Sequence, residues 1–163
     1  MNMQHLEMIA NQFQFKLTTK SAQQIPAGPG GGHLCWKVNA ENEIFLIKQL
    51  DPMLNVNNEK IINRYELCES VAFRFAQLGI PAIFAITNGN KAVTVIENTA
   101  YLVFPWIEGH TLGRNEVAPQ HAIKIVETVA KIHIINLNVP EIEPKLDIHT
   151  NKNSHQFGKS YFM

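Results

Sequence analysis

The run Glu43-Ile-Phe-Leu-Ile-Lys-Gln-Leu50 limits the possible folds of this chain more than any other segment. Side chains alternate sides along a strand, so Ile44, Leu46, Lys48 and Leu50 share one face while Phe45 and Ile47 share the other. A strand that is apolar on both faces must be covered on both, which predicts a layered structure built around it. Lys48 shares its face with three aliphatic side chains. An ammonium among them is costly without an anionic partner, so the position asks for a carboxylate or a phosphate. The alternative is that the lysine stem lies on apolar surface and its head reaches water.

The flanking segments extend the sheet. His33 to Val38 alternates, with Leu34, Trp36 and Val38 on one face, and Asn39-Ala-Glu-Asn42 predicts a hairpin loop into the doubly apolar strand. Before it, Ile25-Pro-Ala-Gly-Pro-Gly-Gly-Gly32 carries four glycines, which allow the backbone to come close to another group. Earlier still, Leu6, Ile9, Ala10 and Phe13 recur at helical spacing and Phe15 and Leu17 alternate, so a short helix hands over to an extended segment.

From Glu59 to Leu78 the spacing is helical, with Ile61, Tyr65, Cys68, Ala72, Phe75 and Ala76 on one stripe and Gly79 as the stop. Glu69 falls beside that stripe and is the better partner for Lys48, whereas Glu66 points towards solvent. Asn88-Gly89 then sits as a hairpin turn between strand-like runs at Ala82–Thr87 and Ala92–Ile96, and Glu97-Asn-Thr99 turns into a strand from Ala100 to Phe104. Pro105 ends that strand, Glu108-Gly109 begins a connector, and Val117 to Leu137 is helical with Ala122, Ile125, Val126, Val129, Ala130 and His133 on one side. His133 reads as a core-edge histidine, and the residues after Pro140 as a polar tail. The expected fold is α+β: a five-stranded antiparallel sheet with one helix packed on it, and a further helix after the connector. The regions divide at 1–104, 105–116 and 117–163.

Several functions are disfavoured by composition. Fourteen basic and fourteen acidic residues give no net field to draw in nucleic acid or a membrane surface. No run approaches membrane-spanning length, and the first ten residues lack both a basic start and a sustained apolar core, so a cytoplasmic protein is expected. Cys35 and Cys68 have no ligand-like spacing and read as buried free thiols. No zinc spacing, nucleophile elbow or Walker-type motif occurs.

The parts that remain suit a nucleoside triphosphate. Gly30, Gly31 and Gly32 can cover phosphates, Lys48 can pair with them, and Glu69 can orient that lysine. Adenine bound along an extended segment needs a backbone carbonyl and, two residues on, an amide. Pro105 and Ile107 fit, because a proline lacks only the N–H that this arrangement leaves unused.

Taken in order, these segments resemble the aminoglycoside phosphotransferase and choline kinase-like family. Gln24 to Val38 is similar to its glycine-rich first hairpin, Phe45-Leu-Ile-Lys48 to its phosphate-lysine strand, and Tyr65-Glu-Leu-Cys-Glu69 through Leu78-Gly-Ile-Pro81 to its glutamate helix and exit. Tyr101 to Leu112 resembles the hinge, and Val129-Ala-Lys-Ile-His133 the helix that opens the large lobe. The resemblance implies ATP or GTP with Mg2+, and a hydroxyl-bearing acceptor such as an aminoglycoside, choline or homoserine. It also exposes a departure, because the family's catalytic His-x-Asp motif and later metal-binding aspartate are absent, and Asp147-Ile-His149-Thr-Asn151 has the wrong order. The expectation is a truncated or split nucleotide-binding small lobe, inactive alone and completed by a separate large-lobe chain. The alternative is a non-catalytic interaction module, or a remnant, that self-associates through the 117–137 helix.

Overall fold

The computed structural model describes residues 1–27, 32–110, 112–113 and 115–141. Its elements in chain order are α1 (Met3–Phe13), β1 (Leu17–Ile25), β2 (Leu34–Ala40), β3 (Ile44–Gln49), α2 (Glu59–Gln77), β4 (Val93–Ile96), β5 (Thr99–Pro105) and α3 (Pro119–Ile135). The doubly apolar segment is β3, the central strand of a five-stranded sheet ordered β1-β2-β3-β5-β4, with every pairing antiparallel. The α+β architecture expected from the sequence is the one observed.

Register assigns the two faces of the sheet. Trp36 lies opposite Ile47 and Ile47 opposite Val103, so these side chains share a face with Val38 and Phe45. There they join Leu6 and Ile9 of α1, together with Ile96 and Tyr101, in one core. Leu6, Ile9, Val38, Ile47 and Val103 have no exposed surface, and burial of each contributes about 1.5–3 kcal/mol. On the other face Leu50, Val93, Ala100 and Leu102 form a second core with Ile62 and Tyr65 of α2. The two helices thus cover opposite sides of β3, as its sequence requires.

Local chemistry sets the helix ends. The Asn2 side chain accepts the Gln4 amide at 3.0 Å to start α1, and Asn58 accepts the Lys60 amide at 3.1 Å to start α2. At the far end of α2, Gly79 takes φ 79°, and the Ile80 amide returns to the Phe75 carbonyl at 3.0 Å.

Three expectations are corrected. The run Ala82–Thr87 is extended but forms no ladder strand, and the extended segment expected before the glycines is the edge strand Leu17–Ile25. The Asn88-Gly89 turn does form, with Asn88 bridging Lys91, yet its arms do not zip together. The reason is that carboxylates of α2 capture amides on both arms, at Ala85 and at Ala92 and Val93. Cys68 is exposed although its stripe neighbour Tyr65 packs with Ile62 on the sheet, and Cys35 is only half-buried because its face opens into a cavity. His133 is likewise exposed: α3 buries none of its residues, and Ile123, Ile125, Val126 and Ile134 all show more than half their surface. Among the described residues no helix is long and apolar enough to cross a membrane.

Candidate functional site

A cavity of about 490 Å³ opens on the α2 side of the sheet, where β2, β3 and β5 run side by side. Its floor follows from register. Lys48 lies between Cys35 and Leu102, and Leu46 lies between Lys37 and Phe104. Lys48, Cys35, Leu46 and Phe104 line the cavity together with Pro105 and Ile107. Three of the residues singled out from sequence, Lys48, Pro105 and Ile107, therefore border one space although Lys48 is far from the other two in the chain.

The connector edge shows why a proline is tolerated there. The Leu50 amide donates to the Ala100 carbonyl at 2.9 Å and the Trp106 amide to the Ile44 carbonyl at 3.0 Å, so even-numbered positions of this strand bond towards β3. Odd-numbered positions face the other way, and the Val103 carbonyl accepts the Ile86 amide at 2.7 Å. The Pro105 carbonyl and the Ile107 amide follow on that same edge, and the N–H that proline lacks would not have entered the pairing with β3. Trp106, which also lines the cavity, fixes the connector. Its Nε1 donates to Glu108 Oε1 at 2.8 Å, and Lys37 Nζ lies 4.3 Å from its ring centroid and 3.5 Å from the same carboxylate oxygen.

Lys48 makes no salt bridge among the described residues. Glu69, its expected partner, uses Oε2 to accept the Ala85 amide at 2.7 Å. Burial pushes the Glu69 carboxyl above its usual range; the Ala85 amide and the charge of Lys48 pull it back, and neighbouring Glu66 adds to the rise. Lys48 is thus close enough to act on Glu69 electrostatically without pairing with it. Glu66 departs further from expectation: it is half-buried and accepts the Ala92 and Val93 amides at 2.8 and 3.1 Å, one with each oxygen. Helical position alone put Glu66 towards solvent, because the amides that it reaches come from a segment some 26 residues away.

Gly30 and Gly31 lie outside the described residues. Gly32 lies two residues before β2, and a Cβ placed on it would meet the Asp51 carboxyl group at 3.2 Å. The sequence reading did not single out His33. Its ring lines the cavity, meets Tyr65 edge-on at 6.4 Å, and holds a buried Nδ1 with no hydrogen-bond partner among the described residues. An unmade bond of this kind costs about 1–3 kcal/mol. Burial, then Lys48, depress the basicity of His33, and Asp51 opposes them. The signal was present in the sequence, since His33 alternates with Cys35 on the lysine face immediately after the glycines. Burial raises the Cys35 thiol above its ordinary value, against the effect of Lys48.

A larger cavity, about 640 Å³, lies between α2 and residues 84–92, walled by Phe73 and Phe84, which meet edge-on at 5.1 Å. Glu66 and Glu69 border it, but both carboxylates already hold backbone amides, so its exposed chemistry is mainly apolar. The chemically varied site is the smaller one.

Sheet order, the helix across the lysine face and the connector define a protein kinase-like small lobe. Among solved structures the chain is similar to spectinomycin phosphotransferase in complex with ADP and spectinomycin, with a TM-score of 0.62 and 16% identity over 85% of this chain. It spans only 39% of that protein's chain, and at this identity the likeness shows the fold. No protein-family model matches the chain, and no curated protein does.

Proposed function

We propose that these residues form the nucleotide-binding small lobe of a small-molecule phosphotransferase. The observation that carries this reading is the cavity that holds Lys48 on its floor and the Pro105–Ile107 backbone edge at its rim. At about 3.3 Å per residue, the three steps from Leu102, opposite Lys48, to Pro105 span about 10 Å, a separation suited to a base at one end and phosphates at the other. The volume lies within the range of about 300–1,000 Å³ usual for small-molecule sites. Leu46 and Phe104 would flank the base, the Pro105 carbonyl and Ile107 amide would read its edge, and Lys48 would hold phosphate. Glu69 keeps Oε1 free of the Ala85 bond and would orient Lys48 with it, while Gly32 and its glycine neighbours would cover the phosphates. ADP in the similar structure is consistent with this use.

The expected ligand is ATP or GTP with Mg2+. Among the described residues no group of three or more His, Cys, Asp and Glu could hold a metal ion. In this reading the metal ligands and the group that orients the acceptor hydroxyl come from a large lobe beyond these residues, and the small lobe supplies position and charge. Calorimetric titration with ATP and magnesium tests it. Saturable heat that disappears in Lys48→Ala is the expected result, and no heat at millimolar nucleotide would refute the reading.

A second reading rests on α3, whose Ile123, Ile125 and Val126 are exposed. As an interaction module the chain would self-associate through this helix. Sedimentation separates the two, because a species that stays monomeric at every concentration rules out self-association.

A further inference from the structure

We propose that His33 reads the phosphate end of the bound nucleotide and takes up a proton from solvent as it does so, an inference that rests on the nucleotide-binding reading above. Its place in the sheet is the first reason. His33 precedes β2 by one residue and alternates onto the face of Cys35, which pairs directly with Lys48. Residues diagonal across an antiparallel pair lie about 7–8 Å apart, within reach of one phosphate chain. His33 is also on the far side of Lys48 from Pro105: Lys48 lies opposite Leu102, and His33 is one step beyond the Leu34–Gln49 pair. A ligand that runs from the connector past Lys48 reaches His33 with its terminal charge.

The second reason is chemical. The ring lines the cavity while its Nδ1 is buried and unpartnered among the described residues. A turn of the ring about its Cβ–Cγ bond brings that nitrogen to the cavity, where a phosphate oxygen supplies the acceptor that a protonated imidazole needs. The charged and titratable groups around the ring are Lys48 from β3, Asp51 just after β3, Tyr65 from α2 and Cys35 from β2. Burial and then Lys48 disfavour the imidazolium, and Asp51 alone favours it, so without a phosphate the ring is less basic than an ordinary imidazole. An arriving phosphate reverses that balance. The basicity of His33 is low when free and higher when bound, so affinity rises as pH falls through the interval between the two values and is level above it. A one-unit rise on binding corresponds to about tenfold in affinity.

The test is calorimetry of the full chain with MgATP in two buffers of unequal ionisation enthalpy, at about pH 6 and about pH 8, alongside His33→Gln and with adenosine as a second probe. Proton uptake in the wild type, a several-fold gain at the lower pH, and loss of both effects in His33→Gln with adenosine binding unchanged are expected. The terminal phosphate titrates in the same region, so the comparison with His33→Gln decides. Uptake that persists in the variant, or ATP binding with no buffer dependence, overturns the inference while leaving the nucleotide site intact. Failure of both ATP and adenosine to bind removes the nucleotide reading and this inference with it. Should His33→Gln not fold, proton NMR of the His33 ring in the wild type reads the same quantity: its titration midpoint rises with MgATP, or the inference fails.

Discussion

Glu69 Oε2 accepts the Ala85 amide at 2.7 Å, which ties α2 to the extended run before β4 through a residue at the edge of the lysine face. The neighbouring Glu66 makes the equivalent tie to Ala92 and Val93. Two carboxylates one helical turn apart therefore hold both arms of the Asn88-Gly89 turn.

Glu66→Ala leaves two amides without their acceptor, on the buried residues Ala92 and Val93. The expected loss is about 2–4 kcal/mol, read from urea unfolding. Glu66→Gln keeps only one oxygen and should fall between the two. A change within about 0.5 kcal/mol for Glu66→Ala would mean that the helix face is simply solvated.

Glu69 makes stability depend on pH in a defined direction. Its folded value is raised above the ordinary 4.5, chiefly by burial, so the folded chain holds the proton more tightly than the unfolded one. That contribution is fully present below about 4.5 and is lost as pH rises through the higher folded value. Glu69→Gln keeps an oxygen for the Ala85 amide and does not titrate. Its stability relative to wild type should therefore climb across that window in urea titrations at successive pH values, and a level difference would contradict the burial account.

Lys48→Met retains the stem against Leu46 and Cys35 but removes the ammonium of a half-buried residue that has no ion pair among the described residues. Thermal unfolding should show stability unchanged or higher by up to about 1 kcal/mol, while nucleotide binding is lost. A large loss of stability would show that Lys48 is structural.

Gly32→Ala places a methyl 3.2 Å from the Asp51 carboxyl group, without demanding a left-handed backbone. The Asp51 side chain must then give by a few tenths of an ångström while its Oδ1 holds the Met53 amide at 2.9 Å, so the expected cost is small, below about 1 kcal/mol. Asp51→Ala should restore part of it, so a double-mutant cycle is expected to show coupling between the two sites, and strict additivity would argue against the contact.

Much of the fold was legible in the chain itself. The apolar residues on both faces of β3 required cover on both sides, and α1 and α2 provide it. The helical stripe and Gly79 fixed α2 to within a residue or two, and Pro105 marked the end of the last strand. Alternation also puts Lys48 on the face that opens into the cavity, and the same alternation puts His33 there.

What the sequence alone determined is which side of each element a residue occupies, because the helical and strand periods are properties of the backbone and are written into the order of apolar residues. Only the tertiary structure decided what lies across from it. Glu66 and Glu69 meet amides 16 to 27 residues away, those bonds tie both arms of the Asn88-Gly89 turn to α2, and Asp51 closes against Gly32. A hydrogen bond depends on a specific donor arriving within about 3 Å, which is set by how loops return over the sheet and leaves no periodic trace in the chain.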